Sequence, residues 1–146
     1  MNKSGAATSE QAAREKMMWG LLEAARAQEE RLEGALGEVG LSSPRLSVLT
    51  ELVKSTSPLP LSELAARLSC VRSNITQLVD RLEADGLVRR VHDATDRRSI
   101  RAEITVSGRE RQAAGAERLE RVQAEFAERL SGVDGSALQE VLSALR

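Results

Sequence analysis

The sequence predicts a mainly α-helical protein with one small β-hairpin (α+β), and three observations predict it. Only 1% of the 146 residues are aromatic, Trp19 and Phe126, so the core has to be built from Leu, Val, Ile and Ala, a palette suited to helix packing. Apolar residues recur at helical spacing through most of the chain. From Leu87 to Val106 the pattern turns β-like on either side of a polar turn, with Ile100, Ala102, Ile104 and Val106 alternating against Arg101, Glu103 and Thr105.

Composition sets the outer limits. With 41% hydrophobic and 29% charged residues the chain should fold, and its length suits one ordinary domain with no room for a separate sensor domain. No stretch approaches the ~20 apolar residues that span a bilayer, and the opening MNKSGAATSEQAAREK lacks the apolar middle of a signal peptide, so a cytoplasmic location with no membrane partner is expected. A single cysteine, Cys70, excludes an intrachain disulfide, and a single histidine, His92, removes most catalytic and zinc constellations. We therefore expect no metal, no cofactor and no enzymatic activity. The net charge of −1 is silent on nucleic acid, because attraction to phosphate shows first as a local patch.

After a polar lead, taken as disordered over residues 1–8, Thr8 or Ser9 offers a cap to a long amphipathic helix carrying Met17, Met18, Leu21, Leu22, Leu32, Leu36 and Val39. Gly37 and Gly40 end it. Ser43-Pro44 reads as the cap and first position of a second helix with Leu46, Val48, Leu49, Leu52 and Val53, running to about Lys54, and Ser55 to Pro60 reads as a loop. Ser62 opens a short helix whose apolar face is Leu64, Ala65 and Leu68. Ser69-Cys70-Val71 connects it tightly to a helix from about Arg72 to Ala84, with Ile75, Leu78, Val79 and Leu82 on one side and Asp85-Gly86 as a left-handed stop. Two helices joined by so short a turn form a helix-turn-helix.

The strands Leu87–Val91 and Ser99–Val106 flank the polar turn HDATDRR and make a hairpin directly after the helix pair, the position of a wing. Ser107-Gly108-Arg109-Glu110 reads as a capping box that starts a third long helix, with Leu119, Val122, Phe126 and Leu130 on one side. A last short helix with Leu138, Val141, Leu142 and Leu145 follows the Gly132 to Gly135 break. The fold class is then a winged helix-turn-helix with long flanking helices.

Function is read from the second helix of the pair and from the wing. The apolar stripe turns Ser73, Gln77, Asp80 and Ala84 outward, flanked by Asn74, Thr76 and Arg81, and Arg72 stands at the start. Hydroxyl and amide side chains of this kind can meet base edges in a major groove while arginines hold phosphate, although the same pattern also describes an ordinary solvated face. The wing tilts the reading toward DNA. Arg89, Arg90, Arg97, Arg98 and Arg101 put five guanidinium groups in one hairpin against Asp93, Asp96 and Glu103, and an arginine at its tip can enter a minor groove. Asp96 is expected to brace the tip by pairing with a nearby arginine.

At this point the chain resembles the MarR family of regulators over nearly its whole length: long helix, helix, LSELAARL, RSNITQLVDRLEADGLV, a wing with Asp96-Arg97-Arg98, then long C-terminal helices. The resemblance implies Arg98 as a minor-groove arginine with Asp96 as its organiser. It also implies a homodimer joined through the terminal helices, and release from DNA by small molecules or oxidants. The residues support the dimer independently, since the first and last helices carry apolar stripes too large for the small central unit to cover. The expected map is thus 9–40 and 107–146 for dimerisation and 41–106 for the winged helix-turn-helix, all in one compact domain. A twofold dimer would present two recognition helices one DNA turn apart to a pseudo-palindrome.

The expected activity is sequence-specific binding of double-stranded DNA as a transcriptional regulator, read as a repressor, with Arg72, Ser73, Asn74, Thr76, Gln77, Arg81, Arg97 and Arg98 on the DNA. Its alternative is a winged-helix protein-interaction module. Trp19 is a candidate for a small aromatic or anionic effector, and Cys70 for oxidation, because a helix start can lower a thiol pKa. Packing is the simpler account of both residues. Peroxide-sensing relatives keep their reactive cysteine near the start of the first helix, where this chain has none.

Overall fold

The computed structural model describes residues 3–96 and 98–146, with side chains from residue 9 onward. Six helices and three short strands follow in the order α1 (Lys3–Gly37), α2 (Ser43–Lys54), β1 (Leu59–Pro60), α3 (Leu61–Arg67), α4 (Arg72–Ala84), β2 (Val88–His92), β3 (Ile100–Ile104), α5 (Val106–Arg129) and α6 (Gly135–Ala144). The expected class, mainly α with a β-hairpin wing after a helix-turn-helix, is the one found. The helix start is not: the backbone is helical from Lys3, inside the stretch read as a disordered lead and ahead of Thr8 and Ser9.

The core lies under the helix-turn-helix. Leu36 of α1, Val48 and Leu49 of α2, Leu64 of α3, Ile75, Val79 and Leu82 of α4, and Leu87 and Val88 entering β2 are all at most 2% exposed. These are the apolar positions at helical spacing in the sequence, and burying each contributes about 1.5–3 kcal/mol against chain entropy.

Helix ends hold the layers in place. At the end of α4, Leu87 N–H donates to Leu82 C=O at 2.9 Å and Gly86 N–H to Glu83 C=O at 2.9 Å, with Gly86 at φ +72°. This is the left-handed stop expected from Asp85-Gly86. The end of α3 repeats it without glycine: Cys70 N–H donates to Ala65 C=O at 2.9 Å around Ser69 at φ +49°. The turn between the two helices is therefore a helix cap, which is why the four residues Leu68 to Val71 suffice.

Three local readings are corrected. The donor group freed at the start of α2 is met from another helix, since Glu33 Oε1 of α1 accepts the Ser43 N–H at 2.9 Å, while Ser42 occupies the cap position with no side-chain bond. The stretch read as a loop ends in a strand: Leu59 and Pro60 pair antiparallel with Ala102 and Arg101, giving the sheet order β1-β3-β2. A two-residue strand ending in Pro60 carries no periodic signal, and proline is tolerated there because β1 is an edge.

The third correction concerns α5. Its cap is Thr105, read as strand, and not Ser107: the Thr105 hydroxyl accepts from Gly108 N–H at 3.0 Å and donates to the Gly86 carbonyl at 2.8 Å. One hydroxyl thus ties the start of α5 to the end of α4. Thr105→Ala should cost about 1–2 kcal/mol in thermal or urea unfolding while Thr105→Ser costs much less, because serine keeps both bonds. Equal losses in the two variants would contradict this role.

The terminal helices leave apolar surface open. Met17 (73%), Trp19 (63%) and Leu22 (53%) on α1, Phe126 (42%) on α5, and Val141 (55%) and Leu145 (62%) on α6 or at its end are exposed, and α6 buries no residue. Among the described residues no helix is long and apolar enough to cross a membrane.

Candidate nucleic-acid interface

The exposed side of α4 is built as the sequence suggests. Ile75, Val79 and Leu82 are buried, and the stripe they form leaves Arg72, Ser73, Asn74, Thr76, Gln77, Asp80 and Arg81 exposed. Thr76 Oγ1 donates back to the Arg72 carbonyl at 3.1 Å, which holds the threonine rotamer and leaves its hydroxyl oxygen as an outward acceptor. Val71, at the cap position, makes no side-chain bond, so the first N–H groups of α4 have no side-chain cap.

The wing differs from its sequence reading in charge. Three of its five arginines are engaged within the chain. Arg89 pairs with Glu103 directly opposite on β3. Arg90 reaches across to α4, to Asp80 and Glu83 at 2.5 Å each. Arg101 grips Asp93 through Nε at 2.7 Å and Nη2 at 2.5 Å, and donates to the Pro58 carbonyl at 3.2 Å. These three are braces, and counting arginines in sequence cannot separate a brace from a free cation. Arg97 lies outside the described residues.

What remains open converges. Arg98 is exposed and, like Arg72 and Arg81, forms no ion pair among the described residues. Arg72 and Thr76 of α4, Arg90 and Arg98 of the wing and Ser62 of α3 line one cleft of about 220 Å³. Asp96 does brace the tip, but through the main chain: its Oδ1 accepts the Arg98 N–H at 3.0 Å, and its carbonyl accepts the Ser99 N–H at 2.9 Å. This turn sets where Arg98 leaves the backbone.

Asp93 holds the other side of the tip. Its carboxylate accepts from the Thr95 N–H at 2.9 Å and the Thr95 hydroxyl at 2.8 Å, and these bonds, with the Arg101 guanidinium, hold its pKa well below the ordinary carboxylate range. A depressed folded pKa gives a hold that is complete above the unfolded aspartate range and is lost only as pH falls through the folded value. The Asp93 carboxyl should therefore remain ionised at pH 3 in an NMR titration of folded protein. A midpoint at the ordinary aspartate value would contradict the arrangement.

The two candidate control residues stand on different elements, Cys70 two residues before the start of α4 and Trp19 on α1. Cys70 is half-buried against the core in the α3–α4 turn, and Trp19 stands on α1 beside Leu22, Glu23 and Arg26. Sequence reasoning missed a larger, mainly apolar groove of about 560 Å³, lined by Leu32 and Glu33 of α1, Pro44 of α2, and Leu119, Val122 and Phe126 of α5. Its residues are far apart in sequence, and the apolar periodicity of α1 and α5 was the one sign of it.

Comparison with known proteins places this geometry. The model of the MarR family matches residues 41–100, the segment from the start of α2 to the wing. The crystal structure of the transcriptional regulator BldR from Sulfolobus solfataricus is 32% identical and aligns over 91% of this chain and 94% of that one, with a TM-score of 0.65. The chain belongs to the MarR family. Another structure of the same winged-helix fold is the transcriptional repressor CouR bound to a 23-mer DNA duplex, 26% identical, with a TM-score of 0.75 over 91% of this chain and 94% of that one. CouR from Rhodococcus jostii RHA1 is also known bound to p-coumaroyl-CoA, at 26% identity, TM-score 0.65 and 88% of each chain. The transcriptional repressor MdtR of Bacillus subtilis (strain 168) is 38% identical over 81 residues, 56% of this chain and 51% of that protein. The chain spans about half the length of the curated relatives it matches. The segment matched by the family model holds the helix-turn-helix and the first part of the wing, where the polar helix face and Arg98 lie.

Proposed function

We propose that this MarR-family chain is a transcriptional repressor that binds a pseudo-palindromic site in double-stranded DNA as a homodimer. The observation that carries the reading is the outer face of α4: an exposed, uncharged polar half bordered by Arg72, Arg81 and the wing's Arg98, none of which forms an ion pair among the described residues. Ser73, Asn74, Thr76 and Gln77 give base readout in the major groove, Arg72 and Arg81 hold phosphate, and Arg98, set by Asp96 and beside Arg97, enters the minor groove. The partner for the dimer is a second copy of the chain, seated on the apolar residues of α1, α5 and α6 that are open here. A small effector, as CouR takes p-coumaroyl-CoA, fits the apolar groove between α1, α2 and α5 better than the surroundings of Trp19.

Selection of bound sequences from a random duplex pool, followed by titration of the best one at two salt concentrations, tests the proposal. An enriched inverted repeat with half-sites ~10 base pairs apart, bound by two chains with a steep salt dependence, is the expected result. Absence of enrichment together with weak, salt-insensitive binding would assign the winged helix to a protein partner instead.

A further inference from the structure

One ion-pair cluster joins the reading helix to the wing and is left unused by the DNA contacts above. Arg90 on β2 sends Nη2 to Asp80 Oδ1 and Nη1 to Glu83 Oε2, both at 2.5 Å, and Glu83 Oε1 also accepts the Arg90 backbone N–H at 3.0 Å. The Arg90 side chain is 24% exposed, against 56% for Asp80 and 38% for Glu83, so the guanidinium is the covered member and the carboxylates face outward. Burial works against the Arg90 charge, and the two carboxylates outweigh it.

The backbone on both sides of this cluster is firmly held. Arg90 pairs with Ala102 of the central strand β3, and Ala102 is fully buried and pairs on its other side with Leu59. Asp80 and Glu83 lie three residues apart on one side of α4, the spacing at which two side chains can meet one planar fork. Three bonds from one wing residue therefore reach the second half of α4, whose first half carries the reading side chains.

We infer that Arg90, Asp80 and Glu83 form a positioning clamp that sets the angle between the reading helix and the wing, and through it the discrimination between DNA sequences. The inference rests on the DNA-binding reading proposed above. Electrostatics alone argues against placing two carboxylates beside a polyanion, since the cluster is net negative and weakens attraction to any duplex. What the carboxylates supply is geometry: α4 and Arg98 reach their grooves together only at one angle, and a fork held by both partners fixes it.

The full-length chain with Asp80→Asn and Glu83→Gln, and separately with Arg90→Lys, tests the clamp. Each is titrated by fluorescence anisotropy against the selected duplex and a scrambled duplex of equal length and composition. Removing two negative charges per protomer should tighten binding to both duplexes if only charge matters. The clamp predicts that the double variant binds the scrambled duplex as well as or better than the parent and the selected duplex more weakly. The ratio of the two affinities then falls at least tenfold. Arg90→Lys keeps the charge but not the fork, and should lower the ratio likewise. Binding to the scrambled duplex shows that the variants are folded. A parent protein that discriminates, with variants that keep its ratio, overturns the clamp alone. A parent that binds both duplexes equally overturns the function it serves.

Discussion

Gly108→Ala should destabilise the fold by about 3 kcal/mol or more, at the upper end of the cost of overpacking. A Cβ built on Gly108 would lie 2.0 Å from the Leu87 carbonyl oxygen and 2.7 Å from Ile104 Cγ1. The first neighbour is backbone and is already committed, since the same carbonyl accepts the Thr105 N–H at 3.1 Å. Relief would need α5 to move away from the chain leaving α4, breaking that bond and straining the Thr105 cap, which bonds both Gly86 and Gly108. In a domain of this size the loss corresponds to a fall of roughly 10 °C in melting temperature, read at one protein concentration because a dimer's transition depends on it. Melting like the parent would show that the close approach of α5 to Leu87 is dispensable. Gly20 makes the contrast: a Cβ there meets nothing within 4 Å, so Gly20→Ala in mid-helix should be neutral or slightly stabilising.

Arg98→Ala should weaken operator binding by about 1–2 kcal/mol per protomer, roughly 30- to 1,000-fold for a dimer that uses both wings. The prediction follows from which wing arginines are free. Arg89, Arg90 and Arg101 are held by Glu103, by Asp80 and Glu83, and by Asp93, whereas Arg98 is exposed and without an ion pair among the described residues. Its loss should act on every sequence and lower the salt slope, because a cation is removed from the phosphate field. Gln77→Ala should behave differently, changing the preferred base at one position of each half-site. Asp96→Ala should give part of the Arg98 effect by freeing the turn that holds the Arg98 N–H. The comparison is made by titrating each variant on the selected duplex and on single-base variants of it. An Arg98→Ala protein with the parent's affinity and salt slope would show that the wing tip stays clear of the DNA.

Both predictions depend on contacts of different sequence range, and the same difference governs what could be read before the structure. The apolar stripes of α2 and α4, the stop at Asp85-Gly86 and the alternation through β3 are local patterns, set by 3.6- and 2-residue periods and by glycine's tolerance of positive φ. They sufficed for the fold class, for the family resemblance and for the outward polar face of α4, because turning one face of a helix inward determines the other. The end of α3 was legible only in part. Its turn length was apparent, but Ser69 in a left-handed position carries no glycine to announce it.

The sequence by itself thus determined the helices, the wing and the side of α4 left to solvent. Only the tertiary structure decided which charges are free to act, where α5 is capped and where β1 joins the sheet. The physical reason is that an ion pair or a cap depends on distance in space. Arg90 meets Asp80 and Glu83 at separations of 10 and 7 residues, Ser43 meets Glu33 at 10, and Arg101 meets Pro58 at 43. No local period encodes such meetings, so five similar arginines in one hairpin became three braces and one open cation among the four described only when the chain had folded around them.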